Sequence, residues 1–241
     1  MSRSTSIQPK AEDLQVMNET LEGQTPQEIL SSAFGDYGPH IILACSFGAE
    51  DVVLADMLFR QQPNASLFYL DTDFLFPETH QVREKIRTKY GLKPDQMIQM
   101  KSLLTPEKQA ATYGEALWAH KPDECCQHRK IEPLERVLTN YTAWITGIRR
   151  DQSPTRTNAK IVEWDNKFQL VKVNPLATWT WEQVWTYIHA NEVPYNALHN
   201  QNYPSIGCTH CTAPVLPGED PRSGRWKHVE KTECGLHPNK T

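Results

Sequence analysis

The sequence lacks any run of about 18 uncharged apolar residues, the length that a membrane-spanning helix requires. Its first 20 residues are polar and contain no apolar segment of the signal-peptide type. The net charge is also small, since 25 Lys and Arg residues against 29 Asp and Glu residues give −4, and this excludes a broadly basic nucleic-acid footprint. We therefore expect a soluble, cytoplasmic protein with no membrane or nucleic-acid partner. With 241 residues, 39% of them hydrophobic, the chain can bury a substantial core.

Short apolar runs alternate with amphipathic segments along most of the chain. The runs predict buried strands over residues 40–45, 66–70, 97–100, 143–146 and 168–173. Helices are predicted over residues 52–60, 77–90, 105–117 and 129–138, and the capping boxes that begin at Thr25 and Thr180 predict further helices. This alternation is typical of an α/β fold with a mostly parallel sheet and helices on both faces. Such folds bind ligands at the carboxyl ends of their strands.

Both ends of the chain lack this pattern. We interpret residues 1–20 as a loose N-terminal arm and residues 21–216 as a single α/β domain. From residue 214 to residue 224, three prolines and two glycines interrupt any regular element. We therefore interpret residues 217–241 as a mobile C-terminal tail.

The six cysteines carry the most specific chemical signal. In a chain of this length without an export signal, they favour metal or catalytic roles over disulfides. Cys208 and Cys211 are separated by two residues, a spacing that suits ligation of one metal centre. Cys125 and Cys126 are adjacent, and adjacent thiolates reach different irons of an iron–sulfur cluster more readily than one zinc ion. A cluster is the favoured interpretation, with structural zinc and unligated core cysteines as alternatives.

The two remaining cysteines have different settings. Cys45 follows an apolar run and is predicted to be a small buried side chain. Cys234 lies in the predicted tail, three residues before His237 and near basic residues, where a thiol can act as a nucleophile. The alternative is a solvated terminal pair with no chemical role.

Polar residues follow the first two predicted strands. The sequence from Ser46 to Gly48 forms a turn between strand and helix that can aim backbone N–H groups at an anion, although a simple tight turn uses the same residues. Asp71, Thr72 and Asp73 end the second strand. Because the carboxyl ends of parallel strands meet at one edge of a sheet, these residues predict a ligand crevice there.

Basic residues are concentrated in three further motifs. One follows the adjacent cysteines, where positive charge is favoured beside anionic thiolates. The other two lie in loops, and their guanidinium groups can bind phosphate or sulfate oxygens in bidentate fashion. Surface salt bridges and a solvated basic face are the alternatives. The motifs contain Arg129, Lys130, Arg149, Arg150, Arg156, Arg222 and Arg225.

Taken together, the motifs resemble the assimilatory sulfonucleotide reductases, in particular the cluster-containing bacterial type that reduces adenylylsulfate (APS). The resemblance extends from Ile41 to His237. It implies an adenine-nucleotide α-hydrolase-like fold, related to the ATP-pyrophosphatases. It also implies one [4Fe-4S] cluster per subunit. The most specific matches are Cys125-Cys126-x-x-Arg129-Lys130, the segment from Arg149 to Pro154, Cys208-x-x-Cys211, and the segment from Glu233 to His237.

The same resemblance implies roles for individual residues. Cys234 would be the nucleophile, and the cluster ligands would be Cys125, Cys126, Cys208 and Cys211. Asp73 departs from the family pattern, which commonly has Gly at this position. The implied substrate contacts are Lys130, Gly147, Arg156, Arg222, Arg225 and His237, with Ser46, Gly48, Asp71 and Thr72 at the nucleotide-binding strand ends.

The implied reaction is the reduction of APS to sulfite and AMP through an S-sulfonate on Cys234, as part of sulfate assimilation for cysteine biosynthesis. Thioredoxin or glutaredoxin would supply the electrons. An alternative within the family is a reductase for the 3′-phosphorylated nucleotide (PAPS), or for both nucleotides. The alternative from another class is a zinc-stapled nucleotide-binding domain without redox activity.

Overall fold

The computed structural model of the chain describes residues 8–227, 231, 235 and 236. Its helices and strands lie between residues 11 and 211. Two residues of the predicted site, Cys234 and His237, lie outside the described residues. None of the helices in the described part is long and apolar enough to cross a membrane.

The elements follow one another in the order that the sequence pattern predicts. The strands are β1 (Ile41–Ala44), β2 (Leu67–Asp71), β3 (Met97–Lys101), β4 (Ala143–Ile145), β5 (Val162–Asp165) and β6 (Leu170–Val173). The helices are α1 (Ala11–Leu21), α2 (Pro26–Tyr37), α3 (Ala49–Gln61), α4 (Pro77–Lys89), α5 (Pro106–Tyr113), α6 (Leu117–His120), α7 (Pro122–Cys126), α8 (Glu132–Leu138) and α9 (Trp181–Ala190).

The six strands form one sheet in the order β3-β2-β1-β4-β6-β5. All neighbouring pairs are parallel except β5 and β6, which pair antiparallel. The chain builds outward from β1 to β3 on one side and then continues from β4 on the other side of β1. This reversal between β1 and β4 is a topological switch point, the place where open α/β sheets bind ligands.

Alternate residues of the central strands face two different apolar clusters. On one face, Leu43 and Ile145 pack with side chains from α2, α3 and α9. On the other face, Ile42 and Trp144 pack with Leu134 of α8. The period of two along each strand therefore explains why both faces of the sheet are covered. This confirms the predicted α/β class.

The predicted strands and helices are confirmed with several differences. Strand β5 was not predicted, because its sequence Val-Glu-Trp-Asp looks polar although all four residues are buried. The helix predicted over residues 105–117 ends at Tyr113, because Gly114 turns the backbone to a φ of 90°. The helix predicted to begin at Arg129 is instead part of a longer helical segment: α7, a π-helical turn over Gln127–Ile131, and α8.

The sequence predicts a loose arm over residues 1–20, but in the structure residues 11–21 form helix α1. The Asn18 side chain donates to the Val162 carbonyl oxygen at 2.7 Å and accepts from the Val162 N–H at 3.1 Å. It thereby satisfies backbone groups of β5, the edge strand. Edge strands carry unpaired backbone groups that must be covered or solvated, and this requirement explains the docked helix.

The described part of the predicted tail also contacts the body of the protein. Trp226 is buried, with 4% of its surface exposed, and its backbone N–H donates to the Cys211 carbonyl oxygen at 3.1 Å. Lys167 Nζ donates to the Gly235 carbonyl oxygen at 2.9 Å, and Leu236 packs against the apolar cluster on the α8 face. These contacts attach the described tail residues to the edge of the sheet.

The end of β4 packs directly on the start of α3. A Cβ atom at Gly147 would lie 2.4 Å from Asp51 Oδ1 and 2.8 Å from Glu50 Cβ. Contacts this short force side chains and backbone to move. Glycine at this position therefore allows the β4 loop and the α3 N-terminus to meet.

We predict that Gly147→Ala destabilises the protein, because the added methyl group overlaps α3. The expected loss in the free energy of unfolding is about 1–3 kcal/mol, measured by urea denaturation. Gly23→Ala is the matched control, because nothing lies within 4 Å of a Cβ there. Equal stability of the two variants would contradict the close packing described above.

Candidate active site

A cavity of about 460 Å³ opens at the carboxyl ends of β1, β2 and β4. It therefore lies at the switch point of the sheet, where the sequence predicts the ligand crevice. The turn after β1 and the loop after β4 form much of its wall. Eight of the predicted substrate contacts line it: Ser46, Gly48, Thr72, Lys130, Gly147, Arg156, Arg222 and Arg225.

The turn after β1 is held by a carboxylate of its own helix. Asp51 Oδ2 accepts from the Ser46 N–H and from the Ser46 hydroxyl, both at 2.6 Å. Burial raises the pKa of Asp51 to about 6, although the two bonds to Ser46 oppose that rise. The donors of Ser46 are thus engaged by the protein itself, while Gly48 begins α3 at the cavity wall.

The end of β2 divides its polar residues between the cavity and the scaffold. Thr72 lines the cavity, and its hydroxyl lies 3.3 Å from Cys208 Sγ. Asp71 is not among the lining residues; its carboxylate accepts from Gln99 Nε2 at 2.5 Å and from the Asp73 N–H at 3.0 Å. The structure therefore places Asp71 in the support of the site rather than on its surface.

Asp73, the departure from the family pattern, has a left-handed backbone with a φ of 61°. Glycine adopts such a conformation without cost, and Asp and Asn tolerate it better than most other residues. The Asp73 carboxylate pairs with Lys101 Nζ at 2.6 Å and with Arg129 Nη1 at 2.7 Å. The side chain at this position thus anchors a buried arginine.

The arginine-rich loop after β4 combines scaffold and site. Arg149 Nε and Nη2 donate to Glu50 Oε1 at 3.0 and 2.9 Å, and Arg150 pairs with Glu22. These two arginines form the salt bridges that the sequence leaves as an alternative. Arg156 lines the cavity, where its Nη1 lies 2.5 Å from Gln152 Oε1.

The π-helical turn Gln127–Ile131 brings Lys130 to the cavity wall. The residue is buried, with 8% of its surface exposed. Single π-helical turns inside α-helices are frequent at functional sites. Arg222 and Arg225 reach the same cavity from the C-terminal segment. Basic side chains from three separate parts of the chain therefore converge on one space.

The four predicted metal ligands surround a second, much smaller cavity of about 10 Å³. It is lined by Cys125, Cys126, Cys208 and Cys211, together with Phe74, Trp118, Pro122, Arg129, Lys130 and His210. None of these four cysteines forms a disulfide. Lys130 and Cys208 line both cavities, so the thiol cluster directly adjoins the larger space.

The surroundings of the thiols are strained electrostatically. Burial, followed by repulsion from the neighbouring cysteines, raises the pKa of Cys125 and of Cys211 to about 11. The positive charges of Lys130 and Arg225 oppose the rise at Cys211. Cys125, Cys126 and Cys208 are buried and Cys211 is half-buried, so these thiols favour deprotonation only when positive charge is brought close to them.

Arg129 supplies a further test of what the thiols could hold. The residue is 1% exposed, it lines the small cavity, and its Nη2 has no hydrogen-bond partner within the described part of the chain. Gln109 accepts from Arg129 Nε at 2.7 Å and donates to Cys125 Sγ at 3.9 Å. A buried donor beside the thiols fits an anionic group. In the described ranges, no group of three or more His, Cys, Asp or Glu side chains is placed to hold a metal ion.

The C-terminal segment reaches the larger cavity at Leu236, which lines it. Cys234 and His237, the predicted nucleophile and its companion, lie outside the described residues. Their predicted roles therefore stay predictions. Gly235, directly after Cys234, lies with its Cβ position 3.7 Å from Ile131 Cδ1, next to Lys130 in the chain.

Three of the lining residues make supporting contacts that the sequence did not predict. Gln152 accepts from Arg156 and donates to Glu50 Oε1 at 2.8 Å, so it joins the arginine loop to α3. Trp226 lies under the C-terminal arginines, and Asp51 holds Ser46. Only the spacing Arg222-x-x-Arg225-Trp226 gives any local signal, because the other contacts join distant parts of the chain.

Comparisons with known proteins find relatives that match most of the chain. The model of the phosphoadenosine phosphosulfate reductase domain matches residues 40–214. Adenosine 5′-phosphosulfate reductase of Shouchella clausii is 49% identical over 231 residues, which cover 95% of each chain.

Two solved structures extend the comparison. Phosphoadenylyl-sulfate (PAPS) reductase from Candida auris, in a phosphate complex, has a TM-score of 0.77 at 30% identity, over 86% of this chain and 100% of that chain. FMN adenylyltransferase from Candida glabrata, with a TM-score of 0.57 at 16% identity over 95% of this chain and 79% of its own, shares the fold. The resemblance and the fold predicted from the sequence are confirmed, and the chain belongs to the phosphoadenosine phosphosulfate reductase family.

Proposed function

We propose that this protein reduces APS to sulfite and AMP in assimilatory sulfate reduction. The observation that carries this proposal is the convergence of the four basic side chains predicted as substrate contacts on one cavity, which adjoins a cluster of four thiols. The Shouchella clausii relative, whose name states this substrate, matches 95% of the chain.

The cavity suits a nucleotide that ends in a phosphosulfate. APS is anionic at both its phosphate and its sulfate, and a thiolate that attacks it adds a further negative charge. Such a reaction needs positive groups that are already in place, because they stabilise charge without reorganising. Lys130, Arg156, Arg222 and Arg225 line the cavity and supply that charge.

In the proposed first step, the Cys234 thiolate attacks the sulfur of APS. A sulfur–sulfur bond forms, the bond between this sulfur and the bridging oxygen of AMP breaks, and AMP leaves with the bonding electron pair. The product on the protein is a Cys234 S-sulfonate. The contacts of Gly235 and Leu236, the residues that follow Cys234, support a position at the cavity for this part of the chain.

In the second step, a thiolate of an external dithiol attacks Cys234 sulfur and releases sulfite. The second thiol of the same protein then resolves the mixed disulfide, which regenerates the Cys234 thiol. The balance is APS plus dithiol to sulfite, AMP, disulfide and two protons. We propose thioredoxin or glutaredoxin as the dithiol, because a cysteine on a terminal segment can be presented to another protein.

We further propose that Cys125, Cys126, Cys208 and Cys211 hold a [4Fe-4S] cluster. The four reduced thiols and the unpartnered Arg129 Nη2 fit an anionic metal–sulfur body. Its separate irons would suit adjacent cysteines better than a single ion does. When bound, the cluster would supply an ordered charged surface beside Lys130, and Lys130 itself would bind the anionic substrate.

PAPS, or use of both nucleotides, is the alternative substrate. The Candida auris relative is named for PAPS and shares 30% identity. The two cysteine pairs favour APS, because PAPS-specific forms resembling this chain usually lack them. Sulfite release from each nucleotide with thioredoxin distinguishes the two substrates.

We predict that Cys234→Ser abolishes sulfite formation but retains APS binding, because it removes only the proposed nucleophile. Mass spectrometry after a single turnover of the wild-type protein should find the sulfonate on Cys234. Cys45→Ala is the matched control, since Cys45 is buried at 3% exposure, and it should leave Cys234 sulfonation intact. Sulfonate on another cysteine, or turnover by Cys234→Ser, would refute the assignment.

We predict about four irons and four acid-labile sulfides per chain in anaerobically purified protein. Cys211→Ser should lower both contents, because it removes one proposed ligand, whereas Cys45→Ala should leave both unchanged. One zinc without sulfide, together with indifference to Cys234→Ser, would support the zinc-stapled domain instead.

A further inference from the structure

Arg225 is held at the cavity without a carboxylate partner. Its guanidinium carbon lies 4.5 Å from the centre of the Trp226 ring, and its Nη1 donates to the Ser205 hydroxyl at 3.1 Å. No carboxylate of the described residues lies within ion-pair distance of it. By contrast, Arg149 and Arg150 each pair with a glutamate.

This difference has an electrostatic consequence. A carboxylate fixes a guanidinium in place but cancels its charge and repels an incoming anion. An aromatic ring attracts the same guanidinium through its quadrupole and leaves the net positive charge in place. Arg225 therefore combines a fixed position with an undiminished charge.

Trp226 itself is closely fixed. The residue is buried and its backbone φ is 50°. Its backbone N–H donates to the Cys211 carbonyl oxygen at 3.1 Å. A left-handed backbone at a bulky residue is uncommon and persists only where the surroundings determine it. Gly207 makes room for the stacked arginine, because a Cβ there would lie 2.3 Å from Arg225 Nη2.

Two more cations approach the same ring. Arg222 lies 6.0 Å and Lys231 Nζ 5.5 Å from the ring centre. Lys231 Nζ also pairs with Asp123 Oδ1 at 2.6 Å, on the helix that carries Cys125 and Cys126. We call Trp226 with Arg222, Arg225 and Lys231 the cation platform.

We propose that Trp226 is a positioning residue that holds Arg225 toward the cavity by cation–π contact, so that the charge of this arginine remains available to the anionic end of the nucleotide. This inference rests on the proposed function. Trp226 also lines the cavity, so the ring and the guanidinium group it holds share one wall. Its effect on binding is transmitted through Arg225 rather than exerted on the reacting sulfur.

The test is a double-mutant cycle on the dissociation constant of APS, measured in the Cys234→Ser protein so that no turnover occurs. Trp226→Leu should weaken APS binding about tenfold, because the Arg225 guanidinium loses the aromatic ring that holds it in position. Trp226→Phe should restore a substantial part of the loss, since a smaller ring still attracts a guanidinium. In the Arg225→Leu background, Trp226→Leu should have a much smaller effect.

Trp179→Leu is the control, because Trp179 is a partly buried tryptophan that packs against Tyr187 of α9, and neither residue lines the cavity. It should bind APS as the parent does. In the Cys234-containing protein, Trp226→Leu should raise KM by a larger factor than it lowers kcat. A purely structural role would lower both the folded fraction and kcat, and would not be rescued by phenylalanine.

Wild-type affinity in a folded Trp226→Leu protein, or an equal effect with and without Arg225, would overturn the proposal. If Trp226→Leu does not fold, Trp226→Phe and Arg225→Lys complete the cycle, since lysine keeps the charge but loses the planar stacking. Failure of the proposed function shows separately, as absence of APS binding by the Cys234→Ser parent. The same cycle is then measured with AMP, whose phosphate probes the same arginines.

Discussion

The site depends on bringing several positively charged side chains together at one cavity. The arginines around this cavity have two kinds of partner. Arg129 and Arg149 pair with Asp73 and Glu50 and become part of the scaffold. Arg225 rests on an indole ring and a serine hydroxyl. An aromatic partner leaves the net charge of a guanidinium in place, whereas a carboxylate offsets it, so the partner of each arginine affects how strongly it attracts an anion.

A few shared residues connect the two cavities. Lys130 and Cys208 line both cavities. The Thr72 hydroxyl contacts Cys208 Sγ, and the backbone N–H of Trp226 donates to the carbonyl oxygen of Cys211. The thiol cluster and the larger cavity therefore share walls made from the same few residues. Because Lys130 and Cys208 line both cavities, a displacement of either residue changes the lining of both.

Much of the fold could be predicted from local pattern. The apolar runs locate five of the six strands, and the capping boxes at Thr25 and Thr180 begin α2 and α9 as observed. The edge strand β5 was not predicted, because its sequence is polar. Its burial depends on a tertiary contact, in which Glu163 pairs with Lys172 across the hairpin at 3.2 Å, and the local pattern does not show this contact. Likewise, the local pattern does not show that Arg129 and Arg149 are paired, because their partners Asp73 and Glu50 lie far away in the sequence.

Glycine shows how the predicted and unpredicted parts of the site fit together. Gly147, identified as a substrate contact by resemblance, lines the cavity, yet its lack of a side chain is also what allows Asp51 to reach Ser46. Gly207 was not singled out at all, yet a Cβ there would collide with the Arg225 guanidinium. In both places the backbone yields space to a charged side chain of another element. A motif residue can therefore line a ligand cavity and still be required first by the packing behind that cavity.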